Sequence, residues 1–381
     1  MGESLWLCLR SRRQRRRFKC QSKRLGNFFK TAVDALARLP ETDEHLAAGI
    51  SLRFEIRDVL FVLGEPAGIL AHLDAAETMA AKLKNSRHLI EVLLYKSGYF
   101  WSDGVNLEQA IPLAGRAYAL AKELDDDELV GLACYRLATA HIMIGNFREV
   151  AQFGKEGLAL LERQAETLVR FGGFVYGFLG SFYAVAVAEL GDFEVADKIA
   201  RRGYEMAVAA DHAYSIMVTC FGLAHSYLLQ VRIDEAMPVL EDGLVQMETR
   251  EARAAAPWIA GRAIYAMARA GRESRFDSLL EVIQDGELTP SMRHGFAYTW
   301  AARGYLHFGR LDEAEALCRT VFEDHAADPE RGVQAWANWI LSDIAWRRGQ
   351  VEEAMRCGPG NRLGTRHGAT CGPLRGPARK N

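Results

Sequence analysis

Apolar residues recur along this chain at helical spacing in paired runs. The first run of each pair ends in a short turn, and the second opens with an apolar residue and, soon after, an alanine. The turns fall at Gly64, Gly104, Gly145, Gly191, Val231, Gly271, Gly309 and Gly349, separated by 40, 41, 46, 40, 40, 38 and 40 residues. Runs of this periodicity joined by short turns predict antiparallel helical hairpins, and a repeat near forty residues predicts that the hairpins stack. The expected fold is all-α, a right-handed α-solenoid of about eight hairpins.

The residues at each offset explain how the hairpins close. Seven positions before the turn stand Ser97, Ala138, Ala184, Ala224, Ile264, Ala302 and Ser342, small in all but one case, and two helices approach closely only where one lacks bulk. One helical turn further on come Leu60, Phe100, His141, Val187, Tyr227, Met267, Tyr305 and Ala345, the packing stripe of the first helix. After the turn the pattern sharpens, as in Asp192-Phe193-Glu194-Val195-Ala196, Ile233-Asp234-Glu235-Ala236, Leu311-Asp312-Glu313-Ala314 and Val351-Glu352-Glu353-Ala354. These acids sit in the first turn of the second helix, where the macrodipole favours negative charge. Gly157, Gly203 and Gly243, twelve positions past their turns, predict a second close contact, since a mid-helix glycine costs about 1 kcal/mol against alanine.

This order of bulky residue, small residue, aromatic, turn glycine and alanine resembles the tetratricopeptide repeat from about Leu46 to Met355. The period exceeds the family's usual value of about 34, which implies longer helices or longer links. The first hairpin, with Arg57 at the small position, and the sixth, with Phe276 at the alanine position, depart from the pattern. A narrower resemblance lies in Ala35-Leu36-Ala37-Arg38-Leu39-Pro40-Glu41-Thr42 running into Leu52-Arg53-Phe54-Glu55-Ile56-Arg57 and Leu63-Gly64-Glu65. It is similar to the C-terminal repeat region of bacterial multidomain proteins that carry a class III adenylate or guanylate cyclase and an AAA-type ATPase. That resemblance implies a regulatory or sensor region serving cyclase and ATPase domains. Their catalytic parts do not match here: the Gly154-Lys155 pair is followed by Glu156 and preceded by no phosphate-binding glycine loop. The sequence therefore predicts no enzyme, no cofactor and no catalytic residue.

Charge divides the chain into three parts. Residues 1–30 hold ten basic residues and one acid, and residues 356–381 hold six basic residues and none. The intervening array has 31 basic and 48 acidic residues, a net charge of −17 that argues against a nucleic-acid groove. The expected organisation is a disordered basic segment over 1–30, a helical-repeat domain over 31–355 and a disordered Gly/Pro/Arg-rich tail over 356–381. The tail, with six glycines and three prolines after Met355, reads as a frameshift or truncation leaving the last hairpin partly uncovered. The N-terminal run from Arg10 to Lys19 reads as a solvated like-charged block. Leu5 to Leu9 is too short an apolar stretch for a signal peptide and precedes the charges. With seven cysteines scattered without paired spacing, a cytoplasmic location is expected.

Two further segments invite other readings. Phe171 to Ala188 is an uncharged run whose end keeps the repeat register, with Ala184 at the small position, so a buried helix is expected rather than a membrane span. The 46-residue interval before its turn predicts an enlarged link. Cys357, His367 and Cys371 lie near one another in the tail but lack the paired spacing and fourth ligand of a zinc site, so no metal is expected.

Function is therefore sought on the concave face. In the tetratricopeptide resemblance the first helices line a groove, and positions three and six before each turn face it. Here the aromatic, charged and large apolar residues so placed include Trp101, Ile142, His225, Leu228, Tyr265, Arg303, Leu306 and Trp346. Aromatic and arginine side chains commonly anchor binding energy. The expectation is a non-catalytic scaffold taking a protein or peptide segment in this groove. The sensor part of a transcription regulator and a self-standing peptide adaptor are alternatives.

Overall fold

Helices follow one another in antiparallel pairs: α1 (Asp43–Val62) with α2 (Ile69–Leu83), α3 (Ser86–Asp103) with α4 (Leu107–Glu123), α5 (Asp127–Met143) with α6 (Phe147–Leu161), and α7 (Val175–Glu189) with α8 (Phe193–Ala209). The pairs continue with α9 (Ala213–Leu229) and α10 (Ile233–Arg250), α11 (Ala256–Arg269) and α12 (Phe276–Ile283), α13 (Gly295–His307) and α14 (Leu311–Asp324), and α15 (Arg331–Arg347) and α16 (Val351–Cys357). The structure is a computed structural model that describes residues 31–36, 38–62, 68–83, 85–103, 107–250, 254–285, 295–324 and 331–357. Among them the chain is an all-α solenoid of eight hairpins, and α16 continues two residues beyond Met355. Gly64, Gly104, the N-terminal basic run, His367 and Cys371 lie outside the described residues.

The repeat offsets have direct physical counterparts. The small residues seven before each turn are buried from Ser97 to Ala302. Where serine replaces alanine, its hydroxyl bonds across the hairpin: Ser97 Oγ donates to the Ala110 carbonyl and Ser342 Oγ to the Ala354 carbonyl, each at 2.8 Å. Gly157 is confirmed as a contact residue, because a Cβ there would stand 2.6 Å from Leu179 Cδ2 and 2.7 Å from Cys134 Cβ. Phe276, the departure in the sixth hairpin, is buried and packs on Tyr305 and Phe308 at ring distances of 5.3 and 5.4 Å. The helix it opens, α12, is short. Beside it, α11 and α13 press together so tightly that a Cβ on Gly261 would meet the Ala297 carbonyl oxygen at 2.3 Å.

The described turns repeat one backbone device. Gly145, Gly191, Gly271, Gly309 and Gly349 all take positive φ, the left-handed conformation that closes a helix C-terminus without steric penalty at glycine. Val231 takes it too, at φ 60°. Its branched Cβ makes that conformation cost about 1–2 kcal/mol, and the side chain is 39 % exposed, so packing offsets only part of the strain. Val231→Gly should therefore raise stability by about 1 kcal/mol, seen as a higher urea midpoint. A lower midpoint would show that Val231 contributes packing outweighing its strain.

Curvature comes from unequal contact between layers. Each first helix packs on the first helix of neighbouring hairpins, as in α7 on α9, α9 on α11 and α11 on α13, whereas the second helices are joined mainly by long side chains. Tyr118 and Lys122 on α4 both reach Glu156 on α6, and Tyr204 on α8 donates to Asp242 on α10. The first helices consequently form the inner wall of a narrow superhelix. Its tightness brings distant hairpins together: Phe61 meets Tyr214 at 6.3 Å, and Trp101 meets Trp258 at 6.0 Å. α5 also touches α15, where Gly145 and Gly332 approach so closely that a Cβ on Gly332 would stand 2.8 Å from Gly145 Cα.

The uncharged run at Phe171–Ala188 is not one continuous helix. Val169–Arg170 (β1) and Gly173–Phe174 (β2) form a two-stranded antiparallel hairpin, with Val169 opposite Phe174 and Arg170 opposite Gly173. Phe171 and Gly172 occupy its tip with φ values of 58° and 89°. Two successive positive φ values match the twist of a two-residue hairpin turn. α7 begins only at Val175, and the enlarged link expected from the 46-residue interval is this hairpin with the short 3-10 helix Glu162–Gln164 before it. Among the described residues no helix is long and apolar enough to cross a membrane.

Candidate functional site on the inner wall

The sequence placed an open groove along the first helices, and the structure corrects that geometry. Trp101, Ile142, His225, Leu228, Tyr265, Arg303 and Leu306 are all buried, because the tight superhelix packs the inner wall against itself. Trp346 alone of the eight is exposed, at 64 %. It occupies the same offset before its turn as Trp101, but α15 lies in the last described hairpin. His225, Tyr265 and Arg303 are brought together around Trp300: His225 and Tyr265 lie 5.5 and 5.1 Å from its ring, and the Arg303 guanidinium 4.2 Å from it. Trp101 contacts Trp258 and Phe182 further along the wall. Ile142, Leu228 and Leu306 are apolar core.

The cluster around Trp300 contains charges that sequence reasoning missed. Arg262 is fully buried; its Nη1 donates to the Trp258 carbonyl at 3.0 Å and its Nη2 lies 3.0 Å from His225 Nδ1. A guanidinium only donates, so His225 Nδ1 must accept and the ring proton resides on Nε2. That nitrogen lies 3.1 Å from Glu189 Oε1 and donates to it. The result is a relay from a cation through a neutral imidazole to a carboxylate. Burial holds the His225 pKa below its usual value of 6.5, with Glu189 opposing and Arg262 reinforcing the shift. Burial also pulls Arg262 down to about 9 and lowers Arg303, both remaining cationic near neutral pH.

Arg303 sits in a cage of rings, 4.2 Å from Trp300, 4.6 Å from Tyr265, 5.1 Å from Trp336 and 5.9 Å from Trp339. Glu189 bonds to His225 and acts on Arg262 and Arg303 electrostatically, opposing the lowering that burial imposes on each. Phe296, Thr299, Trp300, Arg303 and Trp336 line a small crevice over this cage that is too narrow to hold a water molecule. The arginines are seated by their glycine neighbours: Gly261 and Gly304 let α11 and α13 approach, and a Cβ on Gly304 would stand 2.8 Å from Ile264 Cγ2.

A second charged group lies on the same wall. Arg57 and Arg136 are buried, and Arg57 Nη1 donates to Asp58 Oδ1 at 3.0 Å while Tyr95 OH donates to Asp58 Oδ2 at 3.2 Å. The Arg57 guanidinium covers Phe61 at 4.4 Å, which explains how a large residue occupies the small position. Rings link the two groups, from Phe61 through Trp101 and Trp258 to Phe221, which Arg262 covers at 4.2 Å. One sequence signal marks them. Arg136, Arg262 and Arg303 each stand as a lone charge in the middle of an otherwise apolar first helix.

The backbone resembles the crystal structure of a Rap protein complexed with competence and sporulation factor, with a TM-score of 0.61 and 14 % identity over 88 % of this chain and 91 % of that one. The two share a fold. No protein-family model and no curated protein matches the chain. In this Rap-like solenoid, among the described residues, no group of three histidine, cysteine or carboxylate side chains could hold a metal ion.

The neutral state of His225 has a measurable consequence. Its pKa is depressed in the fold, so below about 6.5 the unfolded chain takes up a proton that the folded chain resists, and stability falls as pH falls through that window. His72, His141, His212 and His307 are also lowered by burial and act in the same direction. His225→Gln can still donate to Glu189 and accept from Arg262 without titrating. Urea midpoints taken at intervals below about pH 7 should decline less steeply in this variant. An unchanged slope would mean that His225 does not carry the dependence.

Proposed function

We propose that this chain is a protein-interaction solenoid that takes a segment of a partner polypeptide against its inner wall, centred on Arg303, Tyr265 and His225. The observation that carries the reading is the Arg303 cage. A buried guanidinium in a ring of four aromatics lies beneath Trp336 and Trp339, which are themselves partly exposed. Arginine and aromatic side chains in desolvated settings supply most of the energy of protein recognition. The Rap protein of similar fold is complexed with competence and sporulation factor, which is partner binding on the same architecture. The role is recognition, with no chemistry of its own.

A regulatory role beside cyclase and ATPase domains is a finer reading, supported by the Ala35–Thr42 resemblance. The direct test is selection from a random twelve-residue display library on the full chain, with an unrelated helical protein as control. Enriched peptides should alter the emission of Trp300 and Trp336 and bind Arg303→Gln about tenfold to a hundredfold more weakly, the loss expected for one charge-assisted contact. Failure to enrich any sequence, or peptides indifferent to Arg303→Gln, would sink the proposal.

A further inference from the structure

The Arg57 and Arg136 group, away from the Arg303 cage, has donors that the fold does not satisfy. Arg136 is 1 % exposed, and its Nε and Nη2 have no hydrogen-bond partner; Arg57 Nε has none either. Among the described residues no carboxylate lies within ion-pair distance of Arg136, and Asp58 is paired to Arg57. An unpaired guanidinium in a protein interior is a large penalty, and the α5 and α3 packing is built around it. Gly98 makes the room: a Cβ there would stand 2.6 Å from Arg136 Cζ and 2.8 Å from both terminal nitrogens.

What covers this guanidinium is the tip of the β-hairpin. The Phe171 ring lies 3.7 Å from Arg136 Cζ, stacked on Tyr135 at 5.6 Å and edge-on to Tyr95 at 4.8 Å. Phe171 is held at φ 58°, a conformation that bulky residues adopt only under strain and that Asn or Gly would take more readily. The extra residues of the longest repeat interval thus place a strained aromatic plug over a cation that lacks an anion.

We infer that Arg136, with Arg57, is a binding site for a carboxylate carried by an acidic residue of the partner segment, and that the Phe171 plug occupies this site until the ligand displaces it. The inference rests on the inner-wall reading above and adds the chemistry of the ligand. A carboxylate accepts two parallel hydrogen bonds from a guanidinium, which would satisfy the free Nε and Nη2 of Arg136. The surplus of one positive charge over Asp58 would be neutralised. The Tyr95 and Tyr135 rings that hold Phe171 would then hold the apolar neighbour of the acid.

Phenylacetate combines the ring of the plug with the missing carboxylate and serves as the probe for the full chain. Saturation-transfer NMR should show it binding Phe171→Asn several-fold more tightly than the unsubstituted chain, because the plug no longer competes. Adding Arg136→Gln should weaken binding about tenfold to a hundredfold, and phenylacetamide should not compete. No binding to Phe171→Asn, equal binding of phenylacetamide, or binding unchanged by Arg136→Gln would each overturn the site. Competition by inorganic phosphate as strong as by phenylacetate would show a general anion hole and overturn the carboxylate assignment.

The display selection separates this inference from the one beneath it. Enriched peptides should share an Asp or Glu whose preference vanishes on Arg136→Gln. Peptides that depend on Arg303 without such an acid would leave the inner-wall reading standing and remove this one. If no peptide enriches, the inner-wall reading fails, and with it the partner's acidic residue as ligand. Circular dichroism of each variant guards against loss of fold.

Discussion

Glu189→Gln should destabilise the chain by about 1–3 kcal/mol, less than breaking a direct buried ion pair, because Glu189 bonds to His225 and acts on Arg262 and Arg303 only electrostatically. The glutamine oxygen can still accept from His225 Nε2, so the change removes charge while keeping the hydrogen bond. What remains is Arg262 and Arg303, both buried, without the negative charge that offset theirs. Their desolvation dominates, because Arg262 is fully buried and Arg303 nearly so. A second substitution, Arg303→Gln, removes one of the two surplus cations and should return about 1–2 kcal/mol, a coupling typical of neighbouring charges. Urea unfolding followed by tryptophan emission reads both, since Trp258 and Trp300 adjoin the cluster. If the two substitutions merely add, Glu189 does not act on Arg303.

The opposite sign is expected at Arg136. Arg136→Met should stabilise the free protein by about 1–3 kcal/mol, because exchanging an uncompensated buried ion for an apolar side chain of similar length commonly gains about 1–4 kcal/mol. Against this stands the loss of the guanidinium contacts with Phe171 and Tyr135, each worth about 0.5–2 kcal/mol. The desolvation of an ion whose pKa burial pulls down to about 10 outweighs them. A higher urea midpoint for Arg136→Met would place Arg136 among residues kept at the expense of stability, as binding residues often are. A loss of more than about 1 kcal/mol would instead make it a structural cation whose ring contacts exceed its desolvation.

The two substitutions test one property of the wall. Each charged group has two arginines to one carboxylate, and a hydrogen-bonding ring, Tyr95 or His225, bound to that carboxylate. The outer layer behaves differently: Arg202 with Glu162 and Arg310 with Glu273 are half-exposed pairs between neighbouring hairpins, each worth well under about 1 kcal/mol. The energetic asymmetry of the molecule lies inside the superhelix, although its net negative charge is spread along the array.

Much of the architecture was legible along the chain because hairpin closure is local. A turn residue in the left-handed conformation, a small residue seven positions earlier and acids in the next first turn act within about forty residues of one another, so their spacing repeats visibly. Even Val231, the one non-glycine among the turns, kept the register, and the structure gives it the same left-handed conformation. The break at Phe171 was not legible. An uncharged run suits a buried helix and a buried hairpin tip equally, and only the two positive φ values separate them.

The inner wall depended on something no local pattern encodes, the pitch of the superhelix. Trp101 and Trp346 hold the same offset, yet one is buried among rings from other hairpins and the other is 64 % exposed. Which hairpins meet across the axis follows from small rotations accumulated over several repeats, set by contacts such as Gly261 on Ala297 and Gly145 on Gly332. The sequence by itself determined the hairpins, their number and their packing faces, because these arise from neighbours in the chain. Tertiary structure alone decided that the expected groove is a buried wall and that Arg57 joins Arg136, and Arg262 joins Arg303, because those meetings require the whole array to coil.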